Sequence, residues 1–173
     1  MGNVKKEIRK KKSVRFLLTM AVFALALVLA ACSFGDDPTT WDESKAQAIA
    51  AGEDLKIPVS EVSETVQFYP ITVDGTRMEV LAVKASDGTI RTAFNTCQVC
   101  NGSPKAYFIQ NGREVQCQNC MQNFLLERIE VEQGGCNPIP IFAGDKTETA
   151  ETIAIPYDTL KANAEWFPAN WKQ

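Results

Sequence analysis

Four cysteines constrain this chain more than any other feature. They fall in two pairs, Cys97-Gln98-Val99-Cys100 and Cys117-Gln118-Asn119-Cys120, with sixteen residues between the pairs. Two cysteines three apart on a tight turn can aim both sulfurs at one ion. Two such turns at the ends of a hairpin supply four ligands, and the spacing lies in the range of tetrathiolate metal sites. Asn101-Gly102 after the first pair suits a left-handed turn of the backbone. The competing reading is two disulfides, which gains weight outside the cytoplasm, where thiols oxidise. The 173 residues include no histidine. That excludes a Ser-His-Asp triad, a Cys-His nucleophile pair, His-liganded zinc and His-ligated haem. Any metal must rest on sulfur, carboxylate or carbonyl ligands.

The pattern around the cysteines is mainly β. Thr65–Tyr69 and Ile71–Val73 precede Asp74-Gly75, a hairpin signal, and Met78–Val83 reads as the returning strand. Asp87-Gly88 precedes a third strand, Thr89–Phe94. Ala106–Ile109 and Val115-Gln116 flank Asn111-Gly112, another hairpin. Arg128–Glu132 alternates polar and apolar residues, and Ile139–Phe142 and Thr152–Ile155 complete the strand candidates. This spacing predicts a mainly β fold, a small antiparallel sheet or partly open barrel, closed by a short C-terminal helix over Tyr157–Ala164. Trp166, Phe167 and Trp171 are expected to pack on the sheet.

The N-terminus carries a separate signal. Residues 1–31 hold seven basic side chains and one acid, whereas the remaining 142 hold 11 basic and 20 acidic. An acidic body argues against binding nucleic-acid phosphates. The basic run leads into 16 almost wholly apolar residues, 16–31, fewer than the roughly 20 that span a bilayer as a helix. A charged segment, a short apolar segment and small residues at its end make a secretory signal peptide. Leu29-Ala30-Ala31-Cys32 resembles a bacterial lipobox, in which Cys32 receives a diacylglycerol and becomes the new N-terminus. The expected organisation is a signal peptide over 1–31, a lipidated Cys32 and flexible tether over 32–56, and a Cys-rich metal-binding β domain over 57–173. A marginal helix over Asp42–Ala51 is expected within the tether. The domain would then sit on the cell membrane, lipid-anchored, facing outside the cytoplasm.

The fifth cysteine of the body, Cys136, lies in Gly134-Gly135-Cys136-Asn137-Pro138. Five is odd, so an all-disulfide scheme leaves one thiol unpaired. The glycines and proline give the backbone an unusual path there. Cys136 is a candidate resolving thiol, alternative metal ligand or outer-shell group, set against a plain buried thiol.

In combination these residues carry a resemblance. Phe68-Tyr69, Val73-Asp74-Gly75, Val80–Lys84, Asp87-Gly88, Arg91-Thr92-Ala93, the two cysteine pairs, Phe124 and Gly134–Pro138 together resemble the FtrD-like family, over roughly residues 57–167. The resemblance implies an iron–sulfur-containing membrane protein, with some members associated with ferrous-iron uptake. Family members often carry several membrane spans before this domain; here a lipid anchor takes their place, so a channel role does not carry over. A more distant likeness is to Rieske proteins, whose ligand loops are Cys-x-His and Cys-x-x-His, followed by a Gly- and Pro-rich loop. Both histidine positions would be cysteine here, and all-thiolate ligation should lower a cluster's potential to about −400 mV, against about −150 mV upward for Rieske centres. Rieske proteins are generally exported folded by the twin-arginine route, whereas this N-terminal segment has Lys-Lys pairs and no Arg-Arg pair. The metal reading therefore stays divided between an Fe–S cluster and a single Fe or Zn ion.

Three functions follow. The first is a lipid-anchored electron-transfer or iron-handling module. Cys97, Cys100, Cys117 and Cys120 would hold the metal, Cys136 would modulate it or serve as an alternative metal ligand, and the partners would be membrane redox or iron-permease proteins. The second is a structural zinc site in a binding module. The third is a thiol–disulfide oxidoreductase, which needs an exposed low-pKa thiol. A non-enzymatic metal-binding protein fits the residues better than an enzyme, and no residue stands out as catalytic.

Overall fold

The computed structural model describes residues 38–173. The signal peptide expected over 1–31 and the expected lipid site at Cys32 lie outside the described residues. Among the described residues the protein is mainly β, with eleven strands in three small sheets, none closed into a barrel. The largest sheet has the order β1-β3-β4-β5-β9 and comprises Gln47–Ile49, Gln67–Val73, Thr76–Lys84, Ile90–Cys97 and Pro138–Pro140. β1 runs parallel to β3, and the other pairs are antiparallel. A second sheet joins β2 (Asp54–Pro58) to β11 (Thr152–Pro156) and β10 (Thr147–Glu148). The third carries the cysteine hairpin: β6 (Phe108–Asn111), β7 (Glu114–Cys117) and β8 (Asn123–Leu125). Among the described residues a short α-helix, α1, spans Tyr157–Ala162. Among the described residues no helix is long and apolar enough to cross a membrane.

Strand β4 shows why the sheets assemble this way. Met78 through Val83 are all buried, as expected of a strand covered on both faces. Alternate side chains serve different cores. Met78, Val80 and Ala82 join one core with Leu55, Ile57, Ile153 and Ile155 of the second sheet. Leu81 and Val83 join the other with Phe108, Val115 and Cys117 of the cysteine hairpin. The central strand thus ties the site to the body of the protein. The Asp74-Gly75 hairpin forms as expected, with both residues at positive φ (48° and 79°), the signature of the turn that matches strand twist. Trp171 is fully buried and meets Trp41, Tyr107 and Phe167 edge-on, with ring centroids 5.1–6.1 Å apart.

Two expectations need correction. Residues 38–56 are not spacer throughout. The helix expected over Asp42–Ala51 does not form; a single 3-10 turn at Glu43–Lys45, capped by Asp42, leads into β1, and β2 follows. Ile49 is buried in register with Val73 of β3, and Leu55 and Ile57 are buried in register with β11, far along the chain. Arg128–Glu132 is not a strand either. A strand would put Ile129 and Val131 on one face, yet Ile129 is buried and Val131 is 58% exposed. The chain turns at Glu130 (φ 63°), whose carboxylate points inward to accept from the Thr92 N–H at 2.8 Å and from the Lys146 ammonium at 2.7 Å.

Candidate metal centre

Each cysteine pair begins where a strand ends. Cys97 is the last residue of β5, and its N–H donates to the Ala106 carbonyl. Cys117 is the last residue of β7, in register with Phe108. Beyond each strand the backbone folds into a tight turn that brings the second cysteine back. Gly102 (φ 91°) provides the left-handed step after the first pair, as the sequence suggests. Met121 (φ 60°) provides it after the second, in a conformation that costs a residue with a Cβ about 1–2 kcal/mol. The Ser103 hydroxyl donates to the Asn119 side-chain oxygen at 2.7 Å, clasping one turn to the other. The Gln118 N–H donates to the Tyr107 carbonyl at 2.8 Å.

These connections bring the sulfurs of Cys97, Cys100, Cys117 and Cys120 within 4.8 Å of one another. Cys97 and Cys117 are buried; Cys100 and Cys120 are half-buried and lie nearer solvent. Cys136 arrives on the loop before β9. The Gln98 N–H donates to the Asn137 carbonyl and Cys97 pairs with Pro138, so the Gly-Gly-Cys loop lies against the first pair. The Cys136 thiol packs beside the site without joining the four mutually close sulfurs.

The electrostatics suit cation capture. A hydrogen bond shared with Cys97 pulls the Cys117 thiol down to about 5, against the opposing effect of burial, and the N–H groups of Cys120 and Asn119 assist. The same shared proton, with burial, pushes Cys97 up. Burial also raises Cys100 and Cys136. The set therefore holds ionised and protonated sulfurs side by side, and a cation replaces the protons that bridge them. Capture requires thiolates, so it must release at least the protons of Cys97 and Cys100. Metal affinity is expected to rise by at least about 100-fold per pH unit between pH 6 and 8 and to weaken as pH falls. Chelator competition at several pH values checks this; an affinity flat with pH would refute it.

The site depends on a buried polar network that a local reading of the sequence does not reveal. Asn95, two residues before Cys97, accepts from the Phe108 N–H at 2.8 Å and donates to the Phe108 carbonyl at 3.2 Å and to Glu79 at 2.6 Å. Glu79 in turn accepts two hydrogen bonds from the Lys172 ammonium, at 2.7 and 3.0 Å. The Lys172 N–H donates to the Pro104 carbonyl, inside the loop between the first cysteine pair and β6. The local cue is slight: Asn95 directly follows Ala93-Phe94, two residues before Cys97. Two apolar side chains stand out in the turns themselves, with Val99 63% and Met121 57% exposed.

A sequence-family model described as "Membrane iron-sulfur containing protein FtrD-like" matches residues 62–167. Among solved structures, the crystal structure of the quaternary ammonium Rieske monooxygenase CntA in complex with inhibitor MMV12 is similar at 16% identity. That likeness covers 63% of this chain and 32% of the monooxygenase, with a TM-score of 0.41. The chain thus spans about a third of the length of that enzyme. No curated protein matches the sequence. Four converging cysteine sulfurs and the family match fit a metal or iron–sulfur site.

Proposed function

We propose, for a chain that belongs to the FtrD-like family of membrane iron–sulfur containing proteins, that Cys97, Cys100, Cys117 and Cys120 hold an iron centre. We further propose that the protein serves electron transfer or iron handling at a membrane. The observation that carries this reading is the convergence of four cysteine sulfurs in an acidic, histidine-free domain. Bound iron would supply a one-electron couple. The chain's own residues do the rest. Burial of Cys97 and Cys117 keeps water from the inner side of the site, while half-buried Cys100 and Cys120 leave a short path to a partner at the outer side. Val99 and Met121 give that outer side an apolar rim, suited to brief contact with a membrane redox or iron-permease protein. A lipid on Cys32 would keep the domain at the outer face of the cell membrane and concentrate it near such partners.

The test is a redox titration of the full chain, purified without oxygen from membranes and followed by its visible spectrum. A reversible one-electron transition is expected. A colourless protein with no titratable centre would refute electron transfer. Zinc bound in the same place would hold the hairpins together and carry no electron. Anchoring is tested separately: Cys32→Ala should release the chain from the membrane lipid-anchored fraction, and unchanged lipid attachment would refute it.

A further inference from the structure

We infer that the four cysteines take one tetrahedral metal ion of the borderline-soft class, iron or zinc, with no bridging sulfide. This rests on the reading above that these four residues hold a metal, and deepens it. A metal–sulfur bond of about 2.3 Å in a tetrahedral site places neighbouring sulfurs about 3.8 Å apart. Cys100 and Cys117, which belong to different pairs, stand 3.9 Å apart. All six sulfur–sulfur separations stay within 4.8 Å. A binuclear cluster puts a second iron and two sulfides between its ligands. Sulfurs on different irons must then stand apart by the metal–metal span as well, the diagonal pairs most of all. No pair here is set apart in that way.

The two halves of the site are also built alike. The N–H groups of Val99 and Cys100 face the Cys97 sulfur, and those of Asn119 and Cys120 face the Cys117 sulfur. Each turn thus offers one inner and one outer sulfur to a common centre. Widening the set to admit sulfide would part the Ser103–Asn119 clasp and the Gln118–Tyr107 hydrogen bond. It would also strain the Phe108–Cys117 register at the base of the hairpin. Four ligands satisfy a tetrahedral ion, which leaves Cys136 a neighbour of the site and not a member of it.

The test is elemental analysis of the full chain purified without oxygen from membranes, with acid-labile sulfide assay and X-ray absorption at the metal edge. One metal per chain, no sulfide, a shell of four sulfurs and no metal–metal scattering are expected. Two irons with two sulfides per chain would overturn the single-ion inference and leave the proposed iron function standing. One zinc per chain would uphold the inference and overturn the iron function. A metal-free chain with oxidised thiols would overturn both. Cys136→Ser provides the second readout. It should keep one metal per chain; a fall below one-fifth would place Cys136 among the ligands and overturn the four-sulfur assignment.

Discussion

Cys117→Ser is expected to empty the metal centre. A hydrogen bond shared with Cys97 pulls the Cys117 thiol down to about 5, which favours its ionised, metal-binding form. Cys117 is also fully buried and fixed at the end of β7 by its pairing with Phe108. A serine hydroxyl keeps nearly the same volume but remains protonated near neutral pH, and a neutral hydroxyl is a poor ligand for a borderline-soft metal. Tetrathiolate sites bind with about 10–16 kcal/mol in total, so losing one of four thiolates costs about 3–4 kcal/mol, a few hundred-fold or more in affinity. The variant should therefore be purified with far less than one metal per chain, and equilibrium chelator competition should show the loss. The hairpin should still form, because β6 and β7 pair through the backbone and Val115 and Phe108 stay in the core. Retention of a full metal complement by Cys117→Ser would remove it from the site.

The parts of this molecule legible in the sequence are those whose cause is local. The Asp74-Gly75 hairpin follows from two adjacent residues that tolerate positive φ. The cysteine turns follow from the three-residue spacing and from Gly102. Cys136 drew notice through its glycines, and the structure shows why it lies near: its loop meets Cys97 by pairing with the end of β5. What escaped has its cause far away in the chain. Strand β2 alternates charged and apolar residues over five positions, yet its partner β11 lies about a hundred residues on, and without that partner the stretch reads as spacer. Arg128–Glu132 carries a strand-like pattern that loses to a tertiary demand, the need of buried Lys146 for the Glu130 carboxylate. The network that anchors the site joins Glu79 to Lys172, 93 positions apart, and no window of sequence could connect them.

That network makes the second large prediction. Lys172→Met should destabilise the protein strongly, although the residue is next to last in the chain. Its side chain is 3% exposed and that of Glu79 is 7% exposed, so removing the ammonium leaves a buried carboxylate facing only Asn95. Losing one partner of a buried ion pair costs about 3–5 kcal/mol, because the charge left behind keeps its desolvation penalty without its compensation. Lys172 also lies over the rings of Phe68, Tyr107 and Trp171, 5.0–5.5 Å from their centroids, and a methionine forfeits that electrostatic attraction. Urea unfolding of the metal-free chain should report the loss directly. The metal-loaded chain should show a second effect. Asn95 positions the Phe108 backbone and the Lys172 backbone holds Pro104, so a disturbed network loosens the path between the first cysteine pair and the hairpin. Metal release to a chelator should then become faster while all four sulfurs are still present. The double variant Glu79→Gln, Lys172→Met decides the cause. If the penalty comes from the orphaned carboxylate, the neutral amide should recover most of the lost stability, since it can still accept from Asn95. If the double variant is as unstable as the single one, the loss comes from packing around the lysine chain, and the ion pair is not what holds the site in place.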